Sequence, residues 1–415
     1  MVTLKNLVNK RNVNLFLLVI FTFNTIFIPY DTFELKMLSF FLLLLINIKD
    51  IFTIRENDEV FVFIFGFVLT SFNILASIFL TKGNLYANIQ QGYAPYILLL
   101  YPIIKKSFIS YEKIMITFLK WLSYLIVLTI LLDLLNIIPL YSNSLMMWYH
   151  YSENAMIGKG AMFSLRYMIF IKTTPMLVIS IPYLINNKKY LSSFATLIAL
   201  VFSGTRANLL IGVVVFAFCV VCELYKRCSK EFFTKLLVIF GVIIFIIIFK
   251  YKLIHFVIQM FANKASNDSV RNTILNTIFA SWAEKPISLF TGAGYTGMIY
   301  DLARREYTYT VELSYWNLLR QIGLIPFLLV MIMYLFPIYY LIKSKANINY
   351  VVAYIGYLII AYTNPLLYTS TGLVVLLFMY YICFIFYKNN TNIKSYSFIR
   401  IIINLNKTML KKIGW

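Results

Sequence analysis

Long apolar stretches, each about as long as a bilayer is thick, recur along the whole chain. Residues 60–80 and 114–138 are two of them. A helix needs about 17–25 predominantly apolar residues to cross the hydrocarbon core of a membrane. Only 13% of the 415 residues are charged, whereas a water-soluble domain carries about 25%. The sequence therefore predicts an all-α polytopic membrane protein that forms a single domain over residues 1–415.

The apolar stretches predict about twelve transmembrane helices. They are placed at residues 13–30, 33–48, 60–80, 88–104, 114–138, 166–185, 190–203, 207–225, 235–257, 312–342, 349–363 and 368–387. An even number of crossings puts both termini on the same side of the membrane.

Basic residues concentrate in alternate links between these predicted helices. Pairs of them occur at Lys10-Arg11, Lys105-Lys106, Lys188-Lys189, Lys226-Arg227 and Lys411-Lys412. Cytoplasmic links are enriched in Lys and Arg, so these links and both termini are predicted to be cytoplasmic. The net charge of +21 then reflects membrane topology, and no nucleic-acid partner is expected. The tail, residues 389–415, is predicted to lie on the inner leaflet as an amphipathic helix.

Two extracytoplasmic segments are long, residues 140–165 and 259–311. In the larger one, Asn267–Ser269 is an N-cap signal, and four-residue spacing of apolar residues follows as far as Trp282. We expect an amphipathic helix there that ends near Lys285-Pro286. Arg271 would lie in its first turn, where free backbone N–H groups and a guanidinium favour an anion. The alternative is an exposed arginine at the lipid headgroups.

A glycine-rich run follows at residues 291–297. It resembles a phosphate-binding loop superficially, but it lacks the Lys-Ser/Thr ending and no strand precedes it. A tight turn is the expected structure.

Several basic residues fall inside or at the edge of predicted helices, where burial in lipid costs about 3 kcal/mol each. They are Arg166, Lys172, Arg206 and Arg320. Such residues commonly face a water-filled cavity and bind a ligand. Snorkelling to the headgroups is the alternative for Arg166 and Lys172.

Glu312, Trp316 and Arg320 are spaced four residues apart, so one helix would carry them as a single stripe. Glu312 would also be favoured by the helix dipole alone. An acid, an aromatic ring and guanidinium groups around one cavity suit a sugar that is attached to a phosphate.

The order of several short motifs resembles the O-antigen polymerase and ligase superfamily. Residues 202–210 (FSGTRANLL) are similar to its S-G/S-x-R-x-x-L junction, and residues 268–271 (DSVR) with 292–295 (GAGY) are similar to its large periplasmic loop. Residues 311–324 (VELSYWNLLRQIGL) resemble the start of the next helix, and residues 364–366 (NPL) a motif before the last one. The resemblance covers about residues 190–385.

This resemblance implies a membrane-embedded glycosyltransferase of the C type (GT-C). It would act at the periplasmic face of the bacterial inner membrane on glycans linked to undecaprenyl diphosphate. Ligase members carry a His where Glu312 stands, which favours a polymerase over a ligase. The predicted catalytic residues are Arg206 and Arg271, which would bind the diphosphate, and Glu312 as general base.

The remaining expectations concern substrate binding, cofactors and partners. Arg320, Arg166 and Lys172 would contact the substrate, and Trp316 and Tyr295 would stack on sugar rings. No clustered His, Asp or Cys has metal-ligand spacing, so we predict neither a metal nor a cofactor. The partners would be the undecaprenyl-diphosphate-linked oligosaccharide, the bilayer and a chain-length regulator protein.

Two other functions remain open alternatives. A lipid-linked oligosaccharide flippase would need polar residues lining a path through both halves of the protein. A small-solute transporter would show two matching halves. The sequence instead concentrates extracytoplasmic charge in its second half.

Overall fold

The structure is a computed structural model, and it describes most of the chain as helix. The described residues are 2–30, 34–54, 56–81, 84–159, 167–227, 265–301, 305–344 and 347–389. The predicted helix at 235–257, the tail beyond residue 389 and Arg166 lie outside them.

The N-terminal half is built from twelve α-helices within the described ranges. They are α1 (Val2–Phe27), α2 (Leu35–Ile46), α3 (Ile48–Phe52), α4 (Asn57–Phe63), α5 (Thr70–Thr81), α6 (Leu85–Gly92), α7 (Leu100–Lys106), α8 (Tyr111–Leu134), α9 (Ser144–Tyr151), α10 (Ser180–Asn186), α11 (Tyr190–Val201) and α12 (Arg206–Arg227). A π-helical stretch, Ile64–Leu69, joins α4 to α5, so these form one continuous helix. Three 3₁₀ segments, Ala94–Leu99, Leu140–Ser142 and Thr174–Ile179, precede α7, α9 and α10.

The C-terminal half has six described α-helices and a short hairpin. The helices are α13 (Ala265–Glu284), α14 (Ser288–Thr291), α15 (Ser314–Ile322), α16 (Leu324–Lys343), α17 (Ile348–Tyr362) and α18 (Ser370–Asn389). Strands β3 (Ile299–Asp301) and β4 (Glu306–Thr308) pair antiparallel, and strands β1 (Ala155–Lys159) and β2 (Tyr167–Ile171) form the corresponding hairpin of the N-terminal half.

Five helices are long and apolar enough to cross a membrane: Asn57–Thr81, Tyr111–Leu134, Arg206–Lys226, Leu324–Lys343 and Ser370–Tyr387. Four shorter apolar helices accompany them: Leu35–Ile46, Thr174–Asn186, Tyr190–Val201 and Ile348–Tyr362. The helical membrane-protein class is thus confirmed, whereas the number of crossings stays a prediction.

The outward face of α16 is continuously apolar. Its exposed large side chains include Ile325, Leu328, Ile332, Leu335, Tyr339 and Ile342. They recur every three to four residues over about 25 Å of helix, which is close to the thickness of the hydrocarbon core. Such a face would be unstable in water and suits contact with lipid.

Three predicted helices differ from the structure. The helix predicted at 88–104 is divided into α6, the 3₁₀ segment Ala94–Leu99 and α7. The helix predicted at 166–185 is helical only from Thr174, because Tyr167–Ile171 pairs with β1 as a strand. A short apolar run does not distinguish a buried strand from a helix by itself. The helix predicted at 312–342 is broken at Gly323, whose φ of +80° ends α15 and starts α16 at a new angle.

Polar contacts gather several helix ends at one end of the assembly. Lys105 bonds Asp58 at 2.7 Å and lies 5.2 Å above the ring of Phe384. The ring of Phe386, two residues further along α18, packs on Tyr350 at a centroid distance of 6.2 Å. The Tyr350 hydroxyl in turn donates to Glu112 at 2.7 Å.

The same end holds two further contacts. Lys10 pairs with Asp50 at 2.7 Å, and Asn349 donates to Asn186 at 3.3 Å. All these residues belong to the links, or to the helix ends beside the links, that the charge pattern assigns to the cytoplasm. Their clustering agrees with that assignment, and the side of the membrane on which they lie stays a prediction.

Candidate functional site at the opposite end of the helices

Helix α13 forms the frame of the candidate site. Ile274 and Ile278 are buried against Ile299, Val311 and Leu313. The predicted four-residue apolar spacing is therefore confirmed as a packed face. That face lies on strand β3 and on the segment leading into α15. The helix ends at Glu284, next to the predicted Lys285-Pro286 boundary.

The expected start of this helix is wrong. Helix α13 already includes Ala265, so Arg271 is its seventh residue and lies beyond the first turn. Residues 267–269 are inside the helix and do not cap it. Because the free N–H groups of a helix belong to its first turn, they do not assist Arg271. Any anion binding there rests on the guanidinium itself.

The glycine-rich run forms the expected tight turn and covers the end of α15. Gly292 and Gly294 both have φ of +81°. The amide of Ala293 donates to the carbonyl of Arg320 at 2.7 Å, and that of Gly294 to the carbonyl of Gln321 at 2.9 Å. These bonds satisfy carbonyls that a helix C-terminus leaves unpaired.

Arg320 binds backbone of the same segment and has little exposed surface (2%). Its guanidinium donates to the carbonyls of Gly297 at 2.7 Å and Tyr309 at 2.8 Å, and to Asn317 Oδ1 at 3.1 Å. Burial lowers the pKa of Arg320 to about 10, so the group stays charged at neutral pH. The expectation that Arg320 faces a water-filled cavity is not supported, because its buried guanidinium is taken up by the carbonyls of Gly297 and Tyr309.

Tyr295 is a second attachment point for this segment. Its ring is buried, stacks on Tyr368 at a centroid distance of 6.1 Å, and leaves no room for a side chain at Gly92. Its amide donates to Ser77 Oγ at 2.6 Å. The position does not favour the predicted stacking on a sugar, since neither face of the ring is open.

Glu312 and Trp316 lie where α15 begins. Glu312 is exposed and precedes the helix, which starts at Ser314. The predicted single stripe on one helix therefore holds for Trp316 and Arg320, and Glu312 stands just outside it.

Ser314 Oγ donates to the carbonyl of Asn364 and accepts a hydrogen bond from the amide of Leu366 at 3.1 Å. Two of the segments on which the resemblance rests are thus in direct contact.

Arg206 is the first residue of α12 and is partly exposed. The preceding Gly204 has φ of +73°, and Met168 of β2 packs where its side chain would be. Asn208, one turn into the helix, donates to Ser203 Oγ at 3.0 Å. The β1–β2 hairpin and the Ser203–Asn208 contact fix the position at which α12 begins. The guanidinium of Arg206 belongs to this N-terminus, where an anion is favoured.

Helices α12 and α15 both pack against α17. Ile211 of α12 packs against Gly356. Tyr315 of α15 donates to the carbonyl of Leu358 at 3.0 Å, and its ring packs on Tyr362 at 6.0 Å. Because both helices contact the same half of α17, Arg206 and Glu312 lie at the same end of the molecule.

The three predicted catalytic residues all carry a charge. Within the described parts of the chain, Arg206, Arg271 and Glu312 form no ion pair with an opposite charge. A partly exposed guanidinium without a carboxylate partner can bind a phosphate.

Lys172 has a different environment. Its ammonium lies 3.5 Å above the ring of Tyr30, and Tyr30 is held through its amide by Asn154 Oδ1 at 2.7 Å. Lys172 follows β2 and does not lie in a helix, so the expected position inside a helix is wrong. A cation–π contact of this kind stabilises the link between α1 and the β1–β2 hairpin.

Sequence reasoning missed a buried polar cluster at this end. Asp133 accepts from Lys159 Nζ and from the Tyr167 hydroxyl, both at 2.5 Å, and from the amide of Leu140 at 2.8 Å. It joins α8 to the β1–β2 hairpin. An acid near the end of a predicted transmembrane helix was the signal, since such residues are usually paired.

No family model, curated protein or solved structure matches this chain. The long apolar helices place the chain in the class of helical membrane proteins. Among the described residues, no group of three or more His, Cys, Asp or Glu is placed to hold a metal ion.

Proposed function

We propose that this protein is a polysaccharide polymerase of the membrane-embedded glycosyltransferase type. It would transfer a growing glycan from undecaprenyl diphosphate onto a lipid-linked repeat unit at the periplasmic face. The observation that supports the proposal is that the guanidiniums of Arg206 and Arg271 form no ion pair among the described residues, together with the exposed carboxylate of Glu312. They lie at the end of the molecule opposite the cluster around Lys105.

The reaction needs groups of these two kinds. The acceptor hydroxyl attacks the anomeric carbon of the donor glycan, a new C–O bond forms, and the bond from that carbon to the diphosphate oxygen breaks. Negative charge develops on the leaving diphosphate, where Arg206 and Arg271 would stabilise it. Glu312 would take the proton of the acceptor hydroxyl. The residues named supply all the acid–base and electrostatic chemistry of this step, so we propose a reaction that needs no metal.

Location and partners follow from the same proposal. The protein would cross the bacterial inner membrane about twelve times, with both termini cytoplasmic and residues 259–311 as a periplasmic loop in a GT-C-like arrangement. The substrate would be an undecaprenyl-diphosphate-linked oligosaccharide, and a chain-length regulator would act as a protein partner.

The test is polymerisation by the purified protein. In detergent, it would be given undecaprenyl-diphosphate-linked repeat units, and the products would be resolved on a gel. A ladder of products is expected from the wild type. Arg206→Ala, Arg271→Ala and Glu312→Ala should each abolish it at unchanged expression. The absence of any lengthening with a competent substrate would refute the proposal.

The alternatives give different outcomes in related assays. A ligase would transfer the glycan once to lipid A-core and give no ladder. A flippase would move the lipid-linked oligosaccharide across a vesicle membrane without changing its length. Retained polymerisation in all three variants would mean that the site is elsewhere.

A further inference from the structure

Three aromatic rings form a shelf beside Glu312, which we define as Phe279 and Trp282 of α13 and Trp316 of α15. The rings of Phe279 and Trp316 meet edge to face, with centroids 5.4 Å apart and an interplanar angle of 82°. Trp282 lies 5.7 Å from Phe279 and 6.3 Å from Trp316. The contacts therefore hold the three rings at fixed angles to one another.

The shelf is supported from beneath. Trp282 and Trp316 pack on the buried cluster that contains Ile274 and Leu313. Phe279, by contrast, is 45% exposed. The buried cluster positions the rings, so their free surface needs no rearrangement before it binds a ligand, which reduces the entropy cost of binding.

The exposed surface of α13 beside the shelf differs from that of a lipid-facing helix. The other exposed positions on α13 that the structure describes are Asn272, Asn276, Ala280, Ala283 and Glu284. Phe279 is the one large apolar side chain among them. Helix α16, whose exposed face suits lipid, shows the opposite pattern of continuous Ile and Leu. Apart from Phe279, these exposed positions are polar or small, so α13 lacks the continuous apolar stripe of a lipid-facing helix.

Charged groups flank the shelf on both sides. Glu312 is four residues before Trp316 and is exposed, so its oxygens are free to accept hydrogen bonds. Arg271 is eight residues before Phe279, which places it on the same stripe of α13 about 12 Å away along the axis. The chain segments that form the aromatic platform thus also carry an acceptor and a cation.

We propose that this aromatic shelf is a subsite for a pyranose ring of the glycan. The apolar C–H face of the sugar packs on Phe279 and Trp316, while its hydroxyls donate to Glu312. Arg271 lies where a phosphate attached to a neighbouring sugar would reach it. The proposal rests on the proposed function for the identity of the glycan, and it assigns Phe279 and Trp282 to the site in place of Tyr295.

The test measures binding without turnover. The probe is the lipid-free repeat-unit oligosaccharide, released by mild acid from the undecaprenyl-diphosphate intermediates of the cell that makes this protein. Its binding to the purified protein in detergent is followed by saturation-transfer NMR. Phe279→Ala should weaken binding about tenfold, in line with the typical worth of an aromatic contact plus its buried area. Phe290→Ala removes another exposed ring (54%) from the same extracytoplasmic segment and should leave binding unchanged.

Two results would overturn the shelf as a sugar site. One is an absent signal with wild-type protein, or binding that Phe279→Ala and Trp316→Phe both leave intact. The other is strong quenching of Trp316 fluorescence by brominated phosphatidylcholine in vesicles, judged against Trp316→Phe, because it would place the shelf in lipid.

The same variants separate this inference from the proposed function. Oligosaccharide binding that depends on Phe279, without any polymerisation by the wild type, would retain the shelf and refute the polymerase. Polymerisation that Phe279→Ala does not slow would retain the polymerase and refute the shelf.

Discussion

At the scale of the residue, three arginines that the sequence predicts to contact the substrate have different environments. Arg320 is buried and donates to two backbone carbonyls, whereas Arg206 and Arg271 are partly exposed and unpaired among the described residues. An arginine whose guanidinium is hydrogen-bonded within the protein has a structural role, whereas one without such partners can bind a ligand.

Removing the unpaired arginines should affect activity without affecting stability. We expect Arg206→Ala and Arg271→Ala each to lower the rate of polymerisation about 10²–10³-fold, the usual effect of losing one group that stabilises developing charge. Thermal unfolding in detergent should be unchanged, because neither guanidinium has an ion-pair partner among the described residues. Lys285→Ala, at an exposed position just beyond α13, is the matched control and should retain full activity. A drop in melting temperature for either arginine variant would contradict this assignment.

Removing Arg320 should have the opposite effect. Arg320→Ala leaves the carbonyls of Gly297 and Tyr309 without their donor. We expect it to lower stability by about 2–4 kcal/mol, since hydrogen bonds to a charged group contribute about 1.5–3 kcal/mol each. The measurement is the melting temperature of the purified variant, with the exposed Arg305→Ala as control. A variant that melts like the wild type but has lost activity would return Arg320 to the set of substrate-binding residues.

At the scale of the element, the junction between α15 and α16 positions the site. Gly323 turns the chain there and lies against the turn that begins at Gly292, while Arg320 and Tyr295 hold the rest of that segment in place. Helix α15 is thereby separated from the lipid-facing helix α16 and tied to the extracytoplasmic segment. Trp316 and Glu312 take their positions from this arrangement.

Substituting the junction glycine should displace the whole segment. A Cβ at Gly323 would lie 2.7 Å from the Gly292 amide nitrogen and in contact with the Phe290 carbonyl, and φ of +80° disfavours any L side chain. We expect Gly323→Ala to reduce both the melting temperature and the polymerisation rate. Gly212→Ala is the milder control, because a Cβ there meets only the Leu200 side chain, at 3.0 Å. Equal behaviour of the two variants would show that the junction tolerates movement.

The buried lysine at the other end should be important for stability. Lys105 (side chain 6% exposed) is held by Glu56 and Asp58 at 2.9 and 2.7 Å. Removing one partner of a buried ion pair typically costs about 3–5 kcal/mol, and the partial exposure of both acids favours the lower end. Lys105→Ala should therefore lower the melting temperature clearly, whereas the exposed Lys188→Ala should not. The polymerisation rate per folded molecule should stay unchanged in both, because the site lies at the opposite end.

At the scale of the whole molecule, the two ends differ in how their charges are arranged. The charged groups around Lys105 are paired with one another, while the opposite end combines the paired Asp133 and Lys159 with Arg206, Arg271 and Glu312, which have no ion-pair partner among the described residues. A surface with unpaired charges of both signs is suited to a ligand that carries both phosphate and hydroxyl groups. This asymmetry favours a binding function at the end that the charge pattern places outside the cytoplasm.

The proposed orientation predicts which positions a membrane-impermeant reagent can reach. Single cysteines replacing Tyr151 and Lys285, in a variant without the natural cysteines, should react with an impermeant maleimide in cells with a permeabilised outer membrane. Cysteines replacing Asn187 and Lys188 should react only after the inner membrane is disrupted. The reverse pattern would invert the topology and remove the site from the periplasm.

The membrane-protein class and the coarse arrangement of the helices followed largely from local features of the sequence. Bilayer-length apolar runs require helices, because a helix satisfies its backbone hydrogen bonds within lipid. The alternation of basic links agrees with the clustering of Glu112, Tyr350 and Asn186 at one end. The apolar spacing of α13 correctly gave its buried face, because that spacing is itself the cause of packing.

The remaining features depend on partners that are distant in sequence. Residues 167–171 became a strand because β1 was available to pair with it. Arg320 and Tyr295 became attachment points because Gly297, Tyr309, Ser77 and Tyr368 were brought within contact. Apolar length, helical periodicity and charge distribution are properties of the chain itself, so the sequence alone determined a helical membrane protein. Which charges are neutralised, and which stay free for a ligand, depends on long-range contacts that only the tertiary structure decided.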